Sequence, residues 1–97
     1  MDLNVHAVHF NADEKLVNFV NGKVSKLENF FDNIIAGEVY LKVDKAKKKE
    51  NKVAEIKLSV PGKELFAKKQ CDSFEEAADL ACKALRRQVR KHKTKKK

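Results

Sequence analysis

At 97 residues, 42% of them hydrophobic and 37% charged, the chain is long enough for one small domain with a single core and too short for two. Its net charge of +8 favours an anionic partner. No apolar run is long enough to span a membrane, and the N-terminal residues lack the basic start and apolar run of a signal peptide. We therefore expect a cytoplasmic protein with no membrane partner.

The beginning of the chain predicts a strand followed by an amphipathic helix. Apolar and polar residues alternate from Leu3 to Val8, which suits a half-buried strand. Asn11, with Glu14 three residues later, predicts the start of a helix that continues to about Phe31. Apolar residues recur along this helix at helical spacing and form one stripe. They are Leu16, Val17, Val20, Val24, Leu27 and Phe31.

One flank of this helix combines lysines with aromatic residues. They are Lys15, Phe19, Lys23, Lys26 and Phe30. The flank either borders a basic groove shared with the last helix or is the edge of the core. For Phe19 and Phe30 we expect the edge of the core, because aromatic residues at helical spacing most often pack inside a protein.

The middle of the chain predicts three strands in a meander. Residues 38–44 and 53–60 alternate apolar and polar side chains, as strands with one wet face do. The Pro61-Gly62 pair predicts a tight turn. A last strand then runs from Lys63 to about Gln70, with Leu65 and Ala67 pointing inward.

The segment between the first two of these strands, residues 45–52, has the sequence KAKKKENK and contains five lysines. It predicts a hairpin tip. Its lysines either are simply solvated or contact nucleic acid, and the pattern does not separate these two interpretations.

The C-terminal helix carries the strongest signal in the sequence. Ser73, with Glu76 three residues later, forms a capping box. A stripe of apolar residues follows at helical spacing: Phe74, Ala77, Ala78, Ala81, Leu85 and Val89. From Lys83 to Lys97 the chain has nine basic residues and no acidic one, so the rest of the chain is close to neutral.

The basic residues of this helix lie opposite its apolar stripe and should face solvent. They are Lys83, Arg86, Arg87 and Arg90. Such a cluster is typical of a protein that binds a phosphate backbone, although basic residues on an outer helical face also occur in ordinary proteins. We expect one domain over residues 1–90. Residues 91–97 should form a basic, mobile tail, because they have no apolar partners.

Residues for catalysis or metal binding do not form a recognisable pattern. The three histidines make no ligand spacing with Cys71 and Cys82. Without a secretory signal these cysteines should be reduced, and either buried or idle. No glycine-rich phosphate loop and no nucleophile motif occurs. We therefore expect a protein that is not an enzyme and needs no metal, cofactor or small-molecule ligand.

The element order is β-α-β-β-β-α, which predicts an α+β two-layer sandwich with a four-stranded sheet and two helices on one face. Two helices side by side would leave a groove between them. Lys23 and Lys26 would border this groove on one side, and the basic residues of the last helix on the other.

The whole chain resembles a known family, the short ribosome hibernation-promoting factors and the ribosome-associated inhibitor, once called sigma-54 modulation proteins (S30EA-type). The resemblance rests on four segments in matching order and spacing. They are KVSKLENFFDNI, VYLKV, AEIKLSVPGKELFA and DSFEEAADLACKALRRQVRKHK.

This resemblance implies a fold similar to a double-stranded RNA-binding domain and a function without catalysis. It implies binding to the small ribosomal subunit and its ribosomal RNA, in the channel for messenger RNA and transfer RNA. Such binding would silence idle ribosomes during stress or stationary phase. The free protein would be a monomer. The RNA-binding residues that the resemblance implies are Lys23, Lys26, Lys83, Arg86, Arg87, Arg90 and Lys91, to which we add Lys42 and Lys93.

Two other functions fit the same charge pattern. A general double-stranded RNA-binding module would bind naked duplex RNA as well as ribosomes. A protein-interaction module would dock its basic helix on an acidic protein.

Overall fold

The computed structural model describes residues 1–31 and 33–95, with side chains up to Lys91. Strand β1 (Asp2–Ala7) leads to helix α1 (Glu14–Ser25) and a 3-10 turn (Lys26–Asn29). Three strands follow in a meander, and the long helix α2 comes last. Their bounds are β2 (Ala36–Val43), β3 (Lys52–Val60), β4 (Lys63–Cys71) and α2 (Phe74–Lys95).

The four strands form one sheet in the order β1-β2-β3-β4. β1 and β2 are parallel and are connected through α1, whereas the β2-β3 and β3-β4 pairs are antiparallel. The turn between β3 and β4 is tight because Gly62 adopts a φ of 76°, a conformation that favours glycine. The predicted α+β fold with its element order is confirmed.

Both helices cover the same face of the sheet, where alternate strand residues are buried. Leu41, Ile56 and Leu58 are fully buried in this layer, beneath Val20 of α1 and Leu85 of α2. Each such side chain contributes about 1.5–3 kcal/mol by leaving water. The opposite face of the sheet carries mainly polar side chains, with Tyr40 and Phe66 among them. The apolar stripes predicted for the two helices are therefore the faces that form the core.

Helix α1 begins two residues later than predicted. Asp13, not Asn11, is its N-cap, because the Asp13 side chain accepts a hydrogen bond from the backbone N–H of Leu16 at 2.8 Å. The helix also ends earlier, at Ser25. In the 3-10 turn that follows, the N–H groups of Phe30 and Phe31 both donate to the carbonyl of Leu27, at 3.0 and 3.2 Å. The prediction of one helix as far as Phe31 was wrong.

Helix α2 begins at the predicted cap, where Ser73 Oγ accepts a hydrogen bond from the N–H of Glu76 at 3.1 Å. Its backbone remains helical to Lys95, since lysine and arginine are good helix formers and no glycine or proline interrupts the segment. The start of the predicted tail is thus helical, and its mobility stays a prediction. Lys96 and Lys97 lie outside the described residues.

The two cysteines are buried and free, as predicted. Burial raises the pKa of the Cys82 thiol to about 11 and also raises the pKa of Cys71, which keeps both thiols protonated at neutral pH. Within the described part of the chain, no helix is both long and apolar enough to cross a membrane.

Candidate nucleic-acid interface

The end of α1 and the middle of α2 border a groove on the outer surface of the helical layer. It has a volume of about 240 Å³. Four cationic side chains contribute to its lining, together with one carboxylate and an apolar floor. The lining residues are Lys23, Lys26, Leu27, Phe30, Asp79, Cys82, Lys83 and Arg86. We call this surface the helical groove.

Asp79 connects the two helices across the helical groove. Its Oδ1 lies 3.0 Å from Lys23 Nζ on α1, and its Oδ2 lies 3.2 Å from Lys83 Nζ on α2. The hydrogen bond from Lys23, followed by that from Lys83, lowers the pKa of the Asp79 carboxyl. One carboxylate therefore positions two ammonium groups and leaves the cluster with a net positive charge. Because these side chains are about one third or more exposed, such a pair adds at most about 1 kcal/mol to stability.

Arg86 packs over an exposed aromatic ring. Its guanidinium carbon lies 4.1 Å from the centroid of the Phe30 ring, and the Phe30 residue is 39% exposed. A cation held over an aromatic face is stabilised by the ring quadrupole. Because the N–H donors of a guanidinium lie in its plane, a contact through its face leaves donors available to a phosphate. Arg86 is thus positioned before any ligand arrives.

The prediction that Phe19 and Phe30 form the edge of the core was wrong. Both are more than one third exposed, because Phe19 lies beside the buried stripe of α1 and Phe30 follows the 3-10 turn. Each accompanies a cation instead, since Lys23 Nζ lies 5.6 Å from the centroid of the Phe19 ring. Of this flank, Lys23, Lys26 and Phe30 line the helical groove, whereas Lys15 and Phe19 are not among its lining residues.

A second hollow continues the surface along α2. It is lined by Phe30, Arg86, Val89 and Arg90, so Phe30 lies between the two hollows. Arg87 and Lys91 are exposed and lie further round the helix, Arg87 being turned by about 100° from Arg86. The structure thus brings together most of the basic residues that the sequence singled out.

One of the predicted residues, Lys42, is not part of this arrangement. Lys42 lies on β2 with its side chain on the face of the sheet away from the helices, where its Nζ is 3.2 Å from Glu55 Oε2. Strand alternation requires this position, because the neighbouring Leu41 is buried in the core. The side chain of Lys93 lies outside the described residues.

Two contributors to the groove were not predicted from the sequence, the Phe30 platform and the Asp79 bridge. The spacing of Asp79 and Lys83, four residues apart, was a usable signal for a pair on one helical face. For Phe30 the signal was its place among lysines. Among residues 1–31 and 33–95 no group of three or more histidine, cysteine, aspartate or glutamate side chains is arranged to hold a metal ion.

Comparison with known proteins places the chain in a family. The family model described as "Sigma 54 modulation protein / S30EA ribosomal protein" matches residues 3–97. The chain belongs to this S30EA family. The resemblance noted in the sequence is thereby confirmed.

Relatives in the S30EA family align over nearly the whole chain. The ribosome hibernation promoting factor of Pseudomonas putida is 32% identical over 95 residues, which cover 98% of this chain and 89% of that protein. The ribosome hibernation promoting factor of Escherichia coli K12 is 35% identical over 95 residues, with coverages of 98% and 96%. Among solved structures, a ribosomal subunit interface protein from Coxiella burnetii superposes with a TM-score of 0.85 at 19% identity, covering 97% of this chain and 99% of that one. At this identity the superposition supports the fold alone.

Proposed function

We propose that this S30EA protein is a ribosome hibernation factor that acts in the cytoplasm as a monomer and without catalysis. The helical groove would bind ribosomal RNA of the small subunit in the channel for messenger and transfer RNA. The observation that carries the proposal is the cationic set of Lys23, Lys83 and Arg86, assembled on one surface from two helices. The names of the relatives, ribosome hibernation promoting factor, support the choice of the ribosome as partner.

The chemistry of the groove suits phosphate better than bases. Lysine offers a point charge, and arginine offers a planar fork that can bind two oxygens of one phosphate. Contacts of this kind fix position and orientation but carry little sequence information. The protein would therefore recognise the shape of folded ribosomal RNA and not a particular sequence.

Inhibition would follow from occupancy. A folded domain seated in the channel takes the space that messenger RNA and the anticodon ends of transfer RNA require, so no bond need be made or broken. Because the Asp79 bridge and the Arg86 stack exist before binding, little side-chain freedom is lost when the complex forms, which favours affinity.

Sedimentation of purified ribosomes through sucrose gradients tests the proposal. We expect the protein to migrate with the small subunit and with whole ribosomes at low salt, and to remain at the top of the gradient at high salt. Prior loading with messenger RNA and transfer RNA should prevent this migration. Migration that persists beside bound transfer RNA would exclude channel occupancy, and absence from ribosome fractions at both salts would exclude the ribosome.

Naked duplex RNA and nuclease treatment serve as controls for the other two functions. A general duplex-binding module would shift isolated double-stranded RNA at physiological salt as strongly as it binds ribosomes. A module that docks on an acidic protein would keep its partner after the RNA has been digested. We expect neither result.

A further inference from the structure

The hairpin tip between β2 and β3 has a dense positive charge that the helical groove does not use. Lys45, Lys47, Lys48 and Lys49 are all exposed. Among the described residues, none of the four forms an ion pair. Their charge is therefore available to an external anion.

The backbone of this tip is ordered by its own hydrogen bonds. Asp44 N–H donates to the carbonyl of Asn51 at 2.8 Å, and the Asp44 side chain accepts from the N–H of Ala46 at 3.1 Å. Asn51 Nδ2 donates to the carbonyl of Lys47 at 3.3 Å. The lysines thus extend from a defined loop, which reduces the entropy lost when they bind.

Two carboxylates near the tip are engaged by hydrogen-bond donors other than the lysines. Asp72 accepts a hydrogen bond from the N–H of Glu50 at 2.8 Å, which connects the tip to the segment before α2. Asp44 Oδ2 accepts from Gln70 Nε2 of β4 at 3.0 Å. Glu50 has a φ of 48°, a left-handed conformation that is unusual for its residue type and is maintained by the surrounding contacts.

The tip and the helical groove are separated along α2, because the tip lies at the end of the sheet where α2 begins and the groove lies along the middle of the helix. Val43, Lys52 and Cys71 are aligned across the sheet at the end where α2 begins. Arg86 lies twelve residues into α2, which corresponds to roughly 18 Å along the helix axis. Lys42 lies at the hairpin end too, because it lines a hollow together with Lys45 and His9.

We propose that these lysines form a second RNA-binding site, the hairpin patch, which contacts phosphates at a distance from the helical groove. It consists of Lys45, Lys47, Lys48 and Lys49, and Lys42, which is paired with Glu55, lies at its edge. The inference rests on the proposed function, because it extends the same RNA complex to a second point of contact.

RNA fits the patch better than an acidic protein does. Between residues 45 and 50, Ala46 is the only apolar residue, so the tip has almost no surface to bury at a protein interface. The cores of protein interfaces are depleted in lysine, whereas lysine commonly contacts nucleic-acid phosphates. Two cationic sites separated along the domain also suit folded RNA, in which phosphates recur along each strand.

The salt dependence of binding to purified small ribosomal subunits tests the hairpin patch. Replacing Lys47, Lys48 and Lys49 by glutamine should weaken binding at least tenfold at low salt. It should also make the slope of log affinity against log salt shallower by about 2–3, since each lost phosphate contact removes just under one unit. A matched variant with Lys57, Lys63 and Lys68 replaced by glutamine has the same net charge and should keep the slope of the unchanged protein.

An unchanged affinity and slope in the hairpin variant would overturn the inference, and so would an equal loss in the matched variant. Thermal melts of both variants should coincide with that of the unchanged protein, because the replaced side chains are exposed.

A variant with Arg86 and Arg90 replaced by glutamate separates the two proposals. If it binds normally, the proposed function fails; if it alone loses binding, only the hairpin patch fails.

A photocrosslinker identifies what the tip contacts. With Lys48→p-benzoylphenylalanine and small ribosomal subunits, irradiation should attach the protein to ribosomal RNA. Crosslinks found only in ribosomal proteins, or none at all in a complex that still forms, would overturn the assignment to RNA.

Discussion

The guanidinium of Arg86 on α2 lies 4.1 Å from the ring centroid of Phe30, which follows the 3-10 turn after α1. This contact joins the two helices at the surface and orients a cation that the charge pattern alone would leave mobile. It turns a basic helix face into a defined site, and it can be tested by removing the ring without removing any charge.

Phe30→Ala should weaken binding to small ribosomal subunits by about 2- to 5-fold, because an exposed cation–π contact is worth about 0.5–1 kcal/mol. The affinity can be measured by fluorescence titration. Phe19→Ala is the matched control, because Phe19 is equally exposed while its cation, Lys23, is also held by Asp79. An equal effect of the two substitutions would contradict the special role of Phe30.

Asp79 should make stability depend on pH in the acid range. Its pKa is lowered in the folded protein, mainly by the hydrogen bond from Lys23. Its contribution is therefore complete above the ordinary value of 3.8 and is lost as the pH falls through the lower folded value.

Urea unfolding at pH 7 and pH 3 measures this effect. The unfolding free energy of the unchanged protein should be lower at pH 3 than at pH 7. This difference should be smaller in the Asp79→Asn variant and also in the Lys23→Gln variant. If both variants lose as much stability at pH 3 as the unchanged protein does, the bridge does not stabilise the fold.

Both cysteines should resist alkylation in the folded protein. Burial raises the pKa of Cys82 to about 11 and that of Cys71 as well, so little thiolate exists at pH 8. Mass spectrometry after treatment with iodoacetamide should find almost no modification without denaturant and two modified cysteines in urea. Rapid modification of Cys82 without denaturant would show that the floor of the helical groove opens readily.

Leu85 lies on the buried face of α2, and Arg87 lies on its exposed face. Leu85→Ala should destabilise the domain by about 2–5 kcal/mol, because the side chain is fully buried and its removal leaves a cavity. Arg87 lies two residues further along the helix and is exposed. Arg87→Ala should therefore change the free energy of unfolding by less than about 0.5 kcal/mol. Urea unfolding followed by circular dichroism gives both values, and similar losses would mean that the face assignment is wrong.

Periodicity was sufficient to predict the fold because burial follows it closely. Val20, Val24, Leu85 and Val89 are all buried as their spacing requires. The N-cap of α1 was misplaced because Asn11 and Asp13 are both good capping residues, and which of them accepts from the backbone depends on the path of the preceding loop.

The positive charge of the candidate site could be predicted from the sequence, but the contacts among its side chains could be predicted only in part. A run of basic residues shows that a surface is positive, but it does not show which cations meet. The Asp79 bridge depends on the distance between α1 and α2, and the exposure of Phe30 depends on the 3-10 turn that replaces the last turn of helix. Lys42 was grouped with the helices by charge, although strand alternation directs it to the other face.

Binding of the helical-groove cations to RNA of the small ribosomal subunit can be measured directly. Equilibrium binding of purified small subunits should be measured over a range of salt concentrations, for the unchanged protein and for a variant with Arg86, Arg87 and Arg90 replaced by glutamate. We expect a slope of log affinity against log salt between about −4 and −7 for the unchanged protein, and loss of binding with an unaltered melting curve for the variant. A nearly flat salt dependence, or a folded variant that still binds with the original affinity, would show that these cations do not bind the subunit through RNA.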